Sequence, residues 1–361
     1  MIFAANLHKI FETTKKFHEK VRSSGKSSNF AAKRDDMRQI WVMMLLMPLA
    51  IVAQEVTVNK QKSFPKTVSA GNYSGIAWLG GSKYAVANDK SPTAGFYLMT
   101  IETDSLTGEL LSVREDSFLT SGLPNRDEEG ICYVPQTQTV FVSGEADQEI
   151  LEYNLQGQLT GRKLNIPSIF KTAYSNGGFE ALTYQASTHR FWTTSEFTLK
   201  ADGEKPTIKR KISNRLRLQA FDDDLQPREQ YWYVSDSTAI SKKKGRSIVG
   251  VSGLAALDNG QIVVLEREMH FPKKQIGSYA LIKLYLVDPT QQQSGEVLRK
   301  TLLTEFRTKV NLTRRGFANY EGICVGPKLS DGRQLLILVS DSQNQYRGML
   351  KDWFKTIVLR Y

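Results

Sequence analysis

Downstream of its first fifty or so residues, the chain carries its apolar residues in short β-branched and aromatic runs, never in a helical stripe. One set of runs lies at 83–87, 139–143, 190–194, 261–265 and 334–339, and a second at 96–101, 150–155, 216–221, 280–287 and 356–361. Fainter runs follow most of these, as at 230–234 and 296–303. Turn sequences stand before the first set: Leu79-Gly80-Gly81-Ser82, Pro135-Gln136-Thr137-Gln138, Asp258-Asn259-Gly260-Gln261 and Ser330-Asp331-Gly332-Arg333. Runs of this length, split by Gly, Asn and Asp, predict antiparallel meander strands.

A short pattern precedes each turn and recurs five times. The copies are Ser74-Gly75-Ile76-Ala77, Glu129-Gly130-Ile131-Cys132, Glu180-Ala181-Leu182-Thr183, Ser252-Gly253-Leu254-Ala255 and Glu321-Gly322-Ile323-Cys324, spaced by 55, 51, 72 and 69 residues. A supersecondary unit repeated at this period is a solenoid or propeller unit. Four strands per repeat select the propeller blade. The last repeat ends at its third strand, at Tyr361. Its fourth strand is expected from residues 56–64, which ties the termini together and removes an open edge. The fold predicted is an all-β propeller of five blades closed by an N-terminal strand; six blades is the alternative count.

Residues 1–53 stand apart from this pattern. Met37-Arg38 precedes an apolar run at 40–52 and then Ala53-Gln54, which reads as a secretory signal peptide at 37–53. Its apolar core is too short to cross a bilayer comfortably, and no cysteine near the cleavage point suggests a lipid anchor. Residues 1–36, polar and basic, read as a disordered extension upstream of a true start at Met37. The alternative is a cytoplasmic tail before an uncleaved anchor. The expected location is periplasmic or secreted, with 54–361 forming one domain and no membrane span once the signal is cleaved.

This division changes the charge. The full chain carries 48 Lys/Arg against 37 Asp/Glu; residues 1–53 hold nine and four of these, leaving 39 against 33, a net +6. That mild excess, without a basic stripe interleaved with aromatics, excludes nucleic acid as a partner. Lys209-Arg210-Lys211 and Lys242-Lys243-Lys244 read as solvated loop charge. Cys132 and Cys324 hold equivalent places in non-adjacent blades, farther apart than a disulfide allows, so two free buried thiols are expected. The chain is expected to be a monomer.

Candidate chemistry lies at one end of the channel. Three first strands begin with an acid, Glu129, Glu180 and Glu321, where Ser74 and Ser252 stand in the other two repeats. Every second strand ends in an acid: Asp89, Glu145, Glu196, Glu266 and Asp341. Antiparallel neighbours reverse direction, so all eight are expected at one mouth. Crowded carboxylates raise each other's pKa unless counter-charge neutralises them. A divalent cation would do so, and Ca²⁺ suits all-oxygen ligands. The bases nearby, Lys90, Arg126, Arg267, Arg314, Arg315 and Arg347, would do so as well. A third reading makes the first-strand glutamates struts that accept N–H bonds from the next blade. His270, just past a second strand, is a candidate acid or base; His189 lies in a hairpin on the opposite face. No Gly-x-Ser-x-Gly elbow supports a serine hydrolase.

The first-strand copies with Ala87-Asn88-Asp89-Lys90-Ser91, Asp127-Glu128-Glu129, Gly178-Phe179-Glu180 and Val339-Ser340-Asp341-Ser342-Gln343 resemble the phytase-like family, "esterase-like activity of phytase", over residues 67–361. The resemblance implies a secreted or periplasmic propeller that hydrolyses phosphate or other esters. The β-propeller phytases hold phosphate through calcium ions at an acidic mouth, and by analogy the eight acids would hold a cation here. The resemblance supplies no catalytic residue to carry over; from their place at the mouth, Glu180, Glu321 and His270 are the catalytic candidates, and Lys90, Arg126, Arg267 and Arg347 would hold a small anionic or ester substrate. The alternative is a non-catalytic ligand- or protein-binding propeller of the cell envelope, with Tyr346, Trp353 and Phe354 on its binding loop.

Overall fold

The computed structural model describes residues 55–207, 209–238, 245–272, 277–310 and 315–361. The signal-peptide and upstream readings therefore lie outside the described residues. Gln54–Tyr361 forms one compact unit.

Among the described residues, twenty strands form five four-stranded antiparallel sheets. Blade 1 comprises β2 (Tyr73–Gly80), β3 (Lys83–Asn88), β4 (Thr93–Thr103) and β5 (Leu110–Pro124). Blade 2 comprises β6 (Glu128–Val134), β7 (Thr139–Gly144), β8 (Glu149–Asn154) and β9 (Leu159–Lys163). Blade 3 holds β10 (Phe179–Gln185), β11 (Arg190–Ser195), β12 (Arg215–Phe221) and β13 (Pro227–Val234). Blade 4 holds β14 (Arg246–Ala256), β15 (Ile262–Phe271), β16 (Tyr279–Val287) and β17 (Lys300–Lys309). Blade 5 holds β18 (Asn319–Lys328), β19 (Gln334–Asp341), β20 (Phe354–Arg360) and, outermost, β1 (Glu55–Val58). The fold is the expected five-bladed β-propeller.

Closure occurs as the sequence predicts, over a shorter strand. Glu55 pairs with Arg360 and Val58 with Ile357. Beyond β1 the clasp continues through single contacts: Asn59 N–H donates to Thr356 O at 3.0 Å and Lys62 N–H to Phe354 O at 2.9 Å. The side-chain ammonium of Lys355 donates to Asn59 O. Pairing β1 with β20 satisfies the edge that the last blade would otherwise expose.

Five apolar clusters fill the spaces between neighbouring blades. Val263, Leu265, Leu336 and Leu338 pack blade 4 on blade 5, and Val86, Met99, Ile337 and Val339 pack blade 5 on blade 1. Equivalent clusters join blades 1 and 2, 2 and 3, and 3 and 4. Cys132 and Cys324 are free, buried thiols within this packing.

The repeated pattern marks where the blades touch. A Cβ on Gly75 would meet Glu129 O at 2.3 Å, one on Gly130 would meet Glu180 O at 2.9 Å, and one on Gly253 would meet Glu321 O at 2.8 Å. Gly322 in turn approaches Gly75. Glycine is required because the next blade's backbone passes where a side chain would be. Blade 3 carries Ala181 at this position.

Candidate functional site

Each first strand is irregular at the residue before that glycine. The pairing with the second strand shifts between Tyr73 and Gly75, Glu128 and Ile131, Phe179 and Ala181, Val251 and Gly253, and Tyr320 and Gly322. A bulge leaves one residue unpaired and re-aims its side chain. The bulged positions are Ser74, Glu129, Glu180, Ser252 and Glu321, the ring of residues that the repeats single out.

The two serines and the three glutamates behave differently there. Ser74 Oγ donates to Glu128 O at 2.7 Å and Ser252 Oγ to Tyr320 O at 3.2 Å, so each serine ties its blade to the next. Among the described residues none of the three glutamates accepts a backbone N–H from the next blade through its side chain, as the strut reading requires. Glu129 and Glu180, 6 % and 7 % exposed, carry no side-chain hydrogen bond or ion pair among the described residues. Glu321 accepts from Asn319 Nδ2 at 2.8 Å and from Arg267.

The second-strand positions follow from register. Asn88 lies opposite Tyr73, Gly144 opposite Glu128, Ser195 opposite Phe179, Glu266 opposite Val251 and Ser340 opposite Tyr320. The next residue in each case faces the mouth: Asp89, Glu145, Glu196, Arg267 and Asp341. Blade 4 therefore places an arginine where the other four place an acid. Arg267, buried, donates through Nη2 to Glu196 Oε1 at 2.8 Å and through Nη1 to Asn319 Oδ1 at 2.9 Å and to Glu321. Its Nε has no partner.

Glu266 is a correction to the expected ring. It lies one residue earlier on β15, and a one-residue step reverses the face. Its carboxylate accepts from Tyr233 Oη at 2.5 Å and Lys300 Nζ at 2.7 Å. Asp236, Lys283 and Tyr285 complete that separate network. His270 shares the face of Glu266 on β15, pairs with Ser247 and Tyr279, and stacks against the Tyr279 ring at 5.6 Å. It is buried away from the ring.

The expected substrate-binding bases are mostly engaged elsewhere. Arg126 grips Asp147 through Nε at 2.6 Å and Nη2 at 2.9 Å. Lys90 stands exposed at the rim, 3.1 Å from Asp89 and 3.0 Å from Asp127. Arg347 falls in the 3-10 turn Tyr346–Gly348, its side chain outside what the structure describes, and Arg314 lies outside the described residues. Phe354 is fully buried at the start of β20 and cannot serve on a binding loop.

Seven acids thus share the mouth with Arg267: Asp89, Glu129, Glu145, Glu180, Glu196, Glu321 and Asp341. Burial, then the Glu180, Glu321, Asp89 and Glu145 charges, push Glu129 well above the ordinary carboxyl range. Burial and Glu196 do the same to Glu180, and burial and Glu321 to Asp341. Burial lifts Glu196 to about 7 against the pull of Arg267, and lifts Asp89 to about 6, aided by Glu321. Glu145 accepts from Gly178 N–H of blade 3 at 3.0 Å, and Asp341 from Gln343 N–H at 2.6 Å. Glu128, adjacent to the ring and missed by sequence, is fully buried; it accepts from Asn125 Nδ2 at 2.5 Å and is raised by burial to about 7.

The donors suit a hard cation, all being carboxyl oxygens. Their arrangement does not: among the described residues no three acids, histidines or cysteines lie close enough to hold a metal ion. Two of the ring's carboxylates are already spanned by the Arg267 guanidinium.

On the opposite side of the molecule the inner strands enclose an apolar cavity of about 540 Å³, lined by Ile76, Trp78, Ile131, Tyr133, Leu182 and Tyr184 among others. Toward the mouth, a small space of about 10 Å³ lies among Ser74, Glu180, Ser252 and Glu321 of the ring and Ile76, Ile131, Leu182, Leu254 and Ile323.

Solved structures resemble this chain at low sequence identity. An endo-arabinase from Bacteroides thetaiotaomicron is 12% identical, with a TM-score of 0.46, covering 81% of this chain and 95% of its own. A DUF4221-family member from Bacteroides vulgatus is 10% identical, with a TM-score of 0.38, covering 85% and 98%. No curated protein matches by sequence. Among the described residues no helix is long and apolar enough to cross a membrane. A family profile does match, over residues 68–343 and so across all five blades. The chain belongs to the phytase-like family, described as "Esterase-like activity of phytase".

Proposed function

We propose that the protein is a hydrolase of phosphate or other esters, acting as a monomer in the periplasm or outside the cell, with its reaction at the acidic mouth. One observation carries the reading beyond the family. Within one ring, carboxyl groups sit in two environments: Glu129 and Glu180 carry no side-chain hydrogen bond or ion pair among the described residues, while Glu196 and Glu321 are held by Arg267. Environments that separate two carboxyls divide acid from base.

Glu180, whose carboxyl burial and Glu196 push well above the ordinary range, is the residue we assign to protonate the departing alkoxide oxygen. Glu196, at about 7, is placed to take the proton of the attacking water near neutral pH. Arg267, through its guanidinium at the mouth, stabilises negative charge that develops on the ester oxygen. Glu321 and Asn319 fix the Arg267 guanidinium, which makes Glu321 a positioning residue. His270 has no part in this chemistry. A divalent cation would add Lewis-acid polarisation, but the carboxyls as arranged form no cage for one, and no step is routed through it.

The test is hydrolysis of p-nitrophenyl acetate, butyrate and phosphate by the purified protein, with and without Ca²⁺. Turnover of at least one ester is expected, and loss of about 100-fold or more in Glu180→Gln, the scale of a general acid. A folded protein inert towards all three would leave the non-catalytic binding propeller as the function.

A further inference from the structure

We propose that the acidic mouth is a binding site for an organic cation, a diamine or polyamine, presented alone or as part of the substrate. This rests on the mouth being the ligand site, as above, and not on hydrolysis.

The first observation is the pair of unpartnered glutamates. Glu129 and Glu180 are each more than nine-tenths buried, face the ring, and have no hydrogen bond or ion pair among the described residues. With no hydrogen-bond partner among the described residues, these two carboxyls are left free to take one from a ligand at the mouth. Blades 1 and 4 show that the ring does not need a carboxyl there: Ser74 and Ser252 at the same bulge close their blade interfaces with one hydrogen bond each. The glutamates therefore answer to something other than ring closure.

The second observation is charge. Seven carboxyl groups face the mouth, and the bases among them are Arg267, already shared by Glu196 and Glu321, and Lys90 on the rim beside Asp89. A cation fits this field, and an anionic ester would enter it only beside Arg267 or with a cation of its own.

The third observation concerns size. A calcium ion draws six to eight oxygens to about 2.3–2.6 Å of one point. No three of these acids converge in that way; they are spread over blades 1, 2, 3 and 5. Charges on a flexible chain suit such a spread, because each ammonium brings three donors to a different carboxyl pair. Arg267 is the resident example: one planar cation from blade 4 spans Glu196 of blade 3 and Glu321 of blade 5.

Isothermal titration calorimetry of the purified protein with spermidine, putrescine, CaCl₂ and inorganic phosphate tests this. Spermidine should bind one to one, weaken with added salt, and bind at least about tenfold more tightly than Ca²⁺ or phosphate. The neutral double variant Glu129→Gln/Glu180→Gln should lose about tenfold or more in spermidine affinity, while Glu149→Gln, an exposed partner of Lys163, should lose none. Tighter binding of Ca²⁺ than of spermidine, spermidine binding unchanged in the double variant, or no binding of any amine would each overturn the proposal. Ester hydrolysis without amine binding would overturn it and leave the hydrolase reading standing; amine binding without hydrolysis would do the reverse.

Discussion

Arg267 of blade 4 and Glu196 of blade 3 occupy the same register position in neighbouring blades and meet at 2.8 Å. The substitution of one base into a ring of acids is what lets that ring exist. With its single guanidinium, blade 4 partners a carboxylate from the blade on either side of it.

Removing that guanidinium is expected to be severe. Arg267→Met leaves buried carboxylates without their counter-charge, a loss on the order of 3–5 kcal/mol. The deficit should shrink on acidification, since protonation of Glu196, at about 7, removes charge that Arg267 balances. Urea unfolding at acidic and alkaline pH measures both; an equal loss at both would mean that the guanidinium acts through packing.

Stability should fall as pH rises through neutrality. Asp89 at about 6 and Glu128 and Glu196 at about 7 all lie above the ordinary carboxyl value, with Glu129, Glu180 and Asp341 displaced in the same direction. Between the ordinary and raised values the folded protein binds more protons than the unfolded chain, so the stability gradient with pH is negative. The contribution is complete below the unfolded carboxyl pKa of about 4 and lost as pH rises through 6 and 7. Melting curves should show a higher Tm near pH 5 than near pH 8. A Tm that rises across that range would show that these carboxyls are ionised and paired in the fold.

Gly75→Ala should be poorly tolerated because its Cβ would lie 2.3 Å from Glu129 O, a backbone atom that cannot swing aside. The loss expected is about 1–3 kcal/mol or more. Ala181→Gly, at the one blade that already accommodates a methyl group, should cost only the about 1 kcal/mol of backbone entropy. Chemical denaturation of the two variants gives the comparison; equal losses would contradict the close approach.

Deleting residues 55–64 should expose the edge of β20 and release Val56 and Val58 from the blade 4–blade 5 cluster. Self-association through the open edge is expected, visible as dimers or larger species by light scattering. A truncated protein that stays monomeric with an unchanged Tm would show the clasp to be dispensable.

The fold was legible because each repeat carries several short strand-like runs and a marked first strand. The site was legible in outline. Asp89, Glu145 and Glu196 follow their pattern residue by 15 or 16 positions, a spacing that selects Arg267 at 15 over Glu266 at 14. Choosing the nearest acid instead landed on the wrong face of β15, and the bulge that sets the register cannot be seen without the paired strand. His270 was misplaced by the same alternation. Asn319 and Glu128 carried no signal beyond adjacency to Glu321 and Glu129. The lack of partners at Glu129 and Glu180 is a property of the assembled ring alone.

Stability and activity of Glu129→Gln/Glu180→Gln, measured together at about pH 8, test most directly the claim that these acids are held for function. Neutral amides in place of two crowded carboxyls should raise Tm while ester turnover falls by about 100-fold or more. A variant that melts lower than the natural protein and hydrolyses esters at the natural rate would make the two glutamates structural and move the site elsewhere.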